Sequence, residues 1–212
     1  MRAMKTPFAL LLALAACLFP LRADEAWKTL FNGKDFSGWQ NAKGGAPANW
    51  KVEDGLLTWT GKGGDIWTKE RYGDFVLELE FKTTGNSGVF IRTDDPKDNV
   101  QTGIEMQVHK PGDPGRHSVG AIYDLVPPTE NAATDGWNTA RITARGAHLS
   151  IELNGKKMAE MNLDQWTEAG KNPDGSANKF RQALKDFKRE GHIGLQDHGD
   201  RVWYRHIRLR AL

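Results

Sequence analysis

The sequence predicts an all-β fold, a sandwich of two antiparallel sheets with one short helix. Three observations carry this expectation. Apolar residues alternate with period two in stretch after stretch. Gly, Asn and Pro punctuate those stretches at intervals of about eight to twelve residues. Only one segment has a helical period, and many short strands with few helices are the pattern of a sandwich.

Taken in order, residues 75–82 place Phe75, Leu77, Leu79 and Phe81 on one face. A turn region, Thr83-Thr84-Gly85-Asn86-Ser87, leads into Gly88-Val89-Phe90-Ile91-Arg92, which reads as the second arm of a hairpin. Residues 137–145 alternate again until Gly146 breaks them, and 148–153 run into Asn154-Gly155, a strong short signal for a tight hairpin turn. Residues 202–212 close the chain as a last strand. The helical segment is 177–188, with Phe180, Ala183, Leu184 and Phe187 spaced i, i+3, i+4, i+7. Of the eight tryptophans, Trp39, Trp50, Trp59, Trp67 and Trp137 sit in or beside strands and most are expected to fill the core, while pattern assigns Trp203 and Tyr123 to neither core nor surface.

The first 23 residues read as an export signal: Arg2 and Lys5 precede the apolar run 8–16, which is too short for a bilayer anchor. Within it Leu14-Ala15-Ala16-Cys17 matches a lipobox, so the alternative cut after residue 16 would leave a lipid anchor on Cys17. Either cut removes the chain's one cysteine as a structural thiol, and residues 24–212 are expected to fold as a single domain held by its core alone. The formal +2 belongs to the precursor. Without Arg2, Lys5 and Arg22 there are 26 basic against 27 acidic residues, a balance that argues against a nucleic-acid partner, and no transmembrane span is expected. The setting that follows is extracytoplasmic, periplasmic or secreted.

Two strands carry an unusual polar row. In residues 101–109, Ile104, Met106 and Val108 face one way and Glu105, Gln107 and His109 the other; in 192–198, Ile193 and Leu195 oppose Gln196 and His198. A hydrated outer strand needs nothing so particular as a carboxylate, an amide and an imidazole in line. If both strands lie in one sheet, they line a hydrogen-bonding trough suited to carbohydrate.

The motifs Leu30-Phe31-Asn32-Gly33-Lys34-Asp35-Phe36-Ser37-Gly38-Trp39, Trp50-Lys51-Val52-Glu53-Asp54-Gly55, Tyr72-Gly73-Asp74-Phe75, Asn86-Ser87-Gly88-Val89-Phe90-Ile91-Arg92, Gly103-Ile104-Glu105-Met106-Gln107, Gly120-Ala121-Ile122-Tyr123-Asp124-Leu125, Trp137-Asn138 and Gly194-Leu195-Gln196-Asp197-His198-Gly199 follow one another in an order that resembles the 3-keto-disaccharide hydrolase family. The resemblance runs from Leu30 to Leu212. It implies a concanavalin A-like jelly roll, a bacterial extracytoplasmic setting, and action on glycosides whose glucose carries a 3-ketone.

A 3-ketone acidifies the C2 hydrogen. A base can then remove it, the C1 substituent leaves by β-elimination, and water adds to the unsaturated sugar. This route has no need of the two carboxylates that an ordinary glycosidase sets across the bond. It needs a base, a cation or donor at the enolate oxygen, and an acid for the leaving group. His198 is the expected base or acid, Glu105 the carboxylate that serves as base, orients His198 or holds hydroxyls, and Arg92 the cation, with a structural ion pair to Glu105 or Asp124 as its other reading. Gln107, His109, Tyr123, Asn138, Gln196 and Asp197 are assigned to substrate binding. No cofactor or metal is assigned, because metal-site spacings are absent; Glu105, His109, Asp197 and His198 could still converge on a divalent ion, and Asp94, Asp95 and Asp98 could hold calcium in a loop. A carbohydrate-binding module of the same fold would use the same amides and rings without the reactive set, and a structural adhesion domain would have no trough.

Overall fold

The computed structural model describes Met1 and residues 26–212 apart from 60 and 62, so residues 2–23 of the expected export signal, with the expected anchor at Cys17, lie outside the described residues. The strands are β1 (Lys28–Thr29), β2 (Trp39–Asn41), β3 (Trp50–Glu53), β4 (Leu56–Trp59), β5 (Ile66–Thr68), β6 (Phe75–Thr83), β7 (Ser87–Thr93), β8 (Ile104–Val108), β9 (Asn138–Arg145), β10 (His148–Leu153), β11 (Lys156–Asn162), β12 (His192–Leu195) and β13 (Val202–Ala211). The helix α1 (Asn99–Thr102) is a single turn between β7 and β8.

All pairings are antiparallel. The larger sheet runs β11-β10-β9-β6-β13-β4-β3, with β1 joined to β13; the smaller runs β2-β5-β12-β7-β8. The core fills the space between them. Phe75, Leu77, Leu79 and Phe81 of β6 turn inward as their alternation predicts, beside Ile142 of β9, Ile151 of β10 and Leu209 of β13, and meet Ile66, Val89, Ile91, Ile104, Met106, Val108, Ile193 and Leu195 from the smaller sheet. Each such side chain contributes about 1.5–3 kcal/mol when fully buried. The β9-β10-β11 meander forms as expected, with Asn154 (φ 52°) and Gly155 (φ 78°) in the left-handed region that its tight turn requires.

Two expectations are corrected. The stretches 75–82 and 88–92 are not a hairpin: β6 pairs with β9 and β13, whereas β7 pairs with β8 and β12, so the intervening turn carries the chain from one sheet to the other. Its anchors are long-range, Asn86 N–H donating to Asp200 Oδ2 (2.7 Å) and Thr84 N–H to the Arg201 carbonyl (2.9 Å). The stretch 177–188 is not a helix beyond a 3-10 turn at Leu184–Asp186. Its backbone is drawn outward instead, Lys179 N–H to Asp124 Oδ2 and Arg181 N–H to Gln101 Oε1, while Phe180, Leu184 and Phe187 plug the core one at a time. Among the described residues no helix is long and apolar enough to cross a membrane.

Candidate active site

The smaller sheet turns a second face away from the core, and its register brings four strands together there. Trp67 of β5 lies opposite Gly194 of β12, Gly194 opposite Phe90 of β7, and Phe90 opposite Glu105 of β8. The next row along the strands holds Gln196, Gly88 and Gln107, joined by Gln196 N–H on the Gly88 carbonyl (2.9 Å). Asp65 stands two residues before Trp67 and so on the same face.

Two glycines make this floor. A Cβ at Gly88 would come within 2.7 Å of Glu105 Cδ, and one at Gly194 within 2.8 Å of Trp67 Cη2. The Glu105 carboxyl and the Trp67 ring therefore lie flat across bare backbone. Trp67 and Phe90 pack against each other with centroids 5.5 Å apart.

Three buried polar atoms of this face have no partner within the protein: Glu105 Oε2, Gln196 Oε1 and Trp67 Nε1. Buried polar atoms are otherwise almost always paired, so two acceptors and a donor left open on one face mark a place where a polar ligand completes the set.

The carboxyls are tuned by their surroundings. Burial pushes Glu105 up to about 8; the nearby Lys179 ammonium opposes the shift and Asp65 adds to it. Burial likewise raises Asp65 to about 6, against two donors that favour its charged form, Asp197 N–H on Oδ1 (2.8 Å) and Asn99 Nδ2 on Oδ2 (2.5 Å). The charges of Asp197 and His198 also reach Asp65, the first raising and the second lowering its affinity for a proton.

The rim comes from irregular chain. Tyr123 N–H donates to the Glu105 carbonyl (2.9 Å), and the Tyr123 ring is covered on one side by His117 (4.8 Å) and held under the Lys179 ammonium (3.6 Å). Asp124 ties the two together, accepting from Lys179 N–H (2.9 Å) and pairing with His117 Nε2 (3.0 Å). His198 is exposed just beyond the end of β12, and His109 is half-buried past the end of β8, its Nδ1 3.4 Å from the Lys110 carbonyl.

Of the residues expected at the site, Glu105, Gln107 and Gln196 share this floor, with Tyr123, Asp197 and His198 at its edge. Gln107 is an internal brace: its Nε2 donates to Asn86 Oδ1 (2.6 Å) and the Ser87 carbonyl (3.0 Å). Asp197 is similarly engaged, Oδ2 accepting from Gly63 and Gly64 N–H and Oδ1 from Gly199 N–H.

Arg92 is elsewhere. Its left-handed φ of 50° swings the side chain off the floor, and the buried guanidinium donates to the Gly73 carbonyl (2.8 Å), the Gly146 carbonyl (2.6 Å) and Asp74 Oδ1 (2.8 Å). It pairs with neither Glu105 nor Asp124. Asn138 is also removed from the site: it lies in the larger sheet, donates to the Thr134 and Gly136 carbonyls and accepts from Thr134 N–H and Asn154 Nδ2. In both, every polar atom named is engaged within the fold. Among the described residues no three of His, Cys, Asp and Glu gather as a metal site, so neither Glu105, His109, Asp197 and His198 nor Asp94, Asp95 and Asp98 form one here. Asp65 and Lys179 were missed; the alternation Asp65-Ile66-Trp67-Thr68 carries the signal for the first, and nothing in the local sequence carries one for the second.

A family model described as the 3-keto-alpha-glucoside-1,2-lyase-like domain matches residues 26–210. The 3-keto-disaccharide hydrolase of Bacteroides thetaiotaomicron is 30% identical over 234 residues, a match spanning 91% of this chain and 80% of that protein. A solved structure from Parabacteroides distasonis is 34% identical with a TM-score of 0.77, covering 88% of this chain and all (100%) of that one. The β-glucanase of Bacillus licheniformis, 13% identical, superposes with a TM-score of 0.50 over 90% of this chain and 100% of its own, a likeness of fold alone that agrees with the jelly roll.

Proposed function

The chain belongs to the 3-keto-α-glucoside-1,2-lyase-like family and is a glycoside-cleaving hydrolase, and from that premise we propose that it acts on 3-keto-glucosides by elimination across C1 and C2 followed by hydration. The observation that carries this reading is Glu105, a carboxyl 5% exposed with an unpartnered oxygen on a floor that also holds an unpartnered amide oxygen and an unpartnered indole N–H.

In this mechanism the C2–H bond breaks and its electrons pass into the 3-ketone, giving an enolate. Their return forms the C1–C2 double bond as the C1–O bond breaks. Glu105, protonated at neutral pH because its burial disfavours the anion, delivers a proton to the departing oxygen. Lys179 takes the part for which sequence favoured Arg92, a cation beside the developing enolate, held in place by the Tyr123 ring. Gln196 Oε1 and Trp67 Nε1 bind sugar hydroxyls, and His198 at the rim exchanges protons with solvent. Water then adds across the double bond, OH to C1 and H to C2, so the net change is hydrolysis with no oxidant consumed.

The proposal includes an extracytoplasmic location, supported by the charged and apolar character of residues 1–23, with Cys17 as the alternative lipid anchor. Incubation with a 3-keto-glucoside and with the same glycoside unoxidised tests the function. Release of the aglycone from the oxidised compound alone is expected; equal binding of both without turnover would leave a carbohydrate-binding module and refute the reaction.

A further inference from the structure

We propose that Asp65 is the base that takes the C2 proton, working with Glu105 as the acid on the same floor. This rests on the elimination reading above and deepens it by naming the second reacting group.

The geometry separates the two carboxyls by what they are bonded to. Both partners of Asp65 are pure donors, the Asp197 N–H on Oδ1 and the Asn99 amide on Oδ2, so these two bonds favour the anion against the burial that opposes it and leave each oxygen a further lone pair. Glu105 Oε2 is buried with no donor, the other oxygen, Oε1, lies against the backbone of Gly88, and the residue is paired across the strands with the apolar Phe90. Where two carboxyls sit within each other's field, the one given donors holds the charge and the one left bare holds the proton. Their raised proton affinities follow that order, about 6 for Asp65 and about 8 for Glu105, which ionises the first and protonates the second at pH 7.

Position agrees with this division. Asp65 stands beside the end of β12, in the row of Gln196, and Glu105 stands in the adjoining row on β8, with Gly88 between them. A pyranose laid along the floor between Asp65 and the carboxyl that covers Gly88 presents C2 toward the first and the C1 oxygen toward the second. The exposed His198 lies within the field of Asp65 and gives the captured proton a way out to water. In the step itself the C2–H bond breaks, a bond from Asp65 oxygen to hydrogen forms, and the electron pair moves into the ketone. The proton on Glu105 goes to the leaving oxygen.

The test is C2 hydrogen exchange, followed by NMR with the full-length protein in deuterium oxide and a 3-keto-glucoside with an alkyl aglycone. Asp65→Asn should lose both exchange and aglycone release by about 10²–10⁴-fold, the range for removing a general base. Glu105→Gln should lose release while C2 exchange stays within tenfold of the parent. Asn99→Ala, which keeps the carboxylate and removes its brace, should lose far less than Asp65→Asn, and a melting curve confirms that each variant is folded. A folded Asp65→Asn that exchanges C2 hydrogen within threefold of the parent overturns the assignment. A parent protein inert toward every 3-keto-glucoside would instead sink the function, and so the two failures are distinct.

Discussion

Replacing Gly88 by alanine tests the architecture of the site without touching a polar group. Gly88 lies in the interior of β7, not in the left-handed region, so its backbone accepts a side chain, and strand alanine is favoured over glycine by roughly 0.5–1 kcal/mol. The added Cβ would stand 2.7 Å from Glu105 Cδ and 2.9 Å from Cγ. Ordinary contact begins near 3.4 Å, so the carboxyl must retreat by about 0.7 Å at Cδ and by about 1.3 Å at its nearer oxygen. Overpacking a core position costs about 1–3 kcal/mol, and the strand preference offsets part of it. A net loss of about 2 kcal/mol or less leaves a domain of ordinary stability folded. Misplacing a reacting group by about 1 Å costs about 10²-fold in rate, near 2.7 kcal/mol of barrier. Gly88→Ala should therefore melt within a few degrees of the parent while kcat/KM on a 3-keto-glucoside falls about a hundredfold. Gly194→Ala, whose Cβ meets the rigid Trp67 ring, should by contrast lose stability as well as substrate affinity. A well-folded Gly88→Ala with activity within threefold of the parent would refute the view that the floor glycine sets the position of the carboxyl.

Other outcomes follow from the same groups. Both site carboxyls hold protons more tightly folded than unfolded, raised from the ordinary carboxylate range to about 6 for Asp65 and about 8 for Glu105, so their contribution to stability is full below about pH 4 and is lost as pH rises through 6 and 8; Glu105→Gln should flatten the fall in melting temperature between pH 5 and 8. The same pair predicts a bell-shaped kcat/KM with limbs near 6 and 8, read as apparent values of the coupled pair. Lys179 lowers the proton affinity of Glu105, so Lys179→Met should reduce kcat and move the alkaline limb of that profile upward; an unmoved limb would remove Lys179 from the site. Arg92→Ala should cost about 2 kcal/mol or more by stripping a buried guanidinium from two carbonyls and Asp74, and the folded fraction should keep the parental KM, as should Asn138→Ala; a raised KM in either would return that residue to the substrate.

Sequence disclosed what alternation can disclose. Phe75, Leu77, Leu79 and Phe81 announce a core face, Asn154-Gly155 announces its turn, and the row Glu105-Gln107 on β8 was visible because a carboxylate there has no core duty. Asp65 was within reach by the same rule but was hidden by the shortness of β5, three residues long. Arg92 misled because it closes the motif Asn86-Ser87-Gly88-Val89-Phe90-Ile91-Arg92, and nothing in that motif shows the left-handed φ that turns its side chain off the floor. The 177–188 stretch misled for a different reason: Phe180, Leu184 and Phe187 are all buried, as an amphipathic helix requires, yet the partners that fix them are Gln101, Asp124 and Trp166, far away in the chain. Lys179, whose position depends on those same contacts, could not be found locally.

The floor draws its side chains from four stretches of chain, and the bond that closes it, Asp197 to Asp65, spans 132 positions. Long closures of this kind come late when a polypeptide collapses. A nascent or shortened chain that lacks β12 has no Gly194 beneath Trp67 and no Gln196 beside Asp65, and it leaves β5 and β7 with bare edges facing one another. Such a species has nothing with which to hold a sugar and every reason to stick to its neighbours. Catalytic competence in this protein thus doubles as a certificate of complete folding, and a bench preparation can be judged by turnover per milligram as stringently as by any spectroscopic signal.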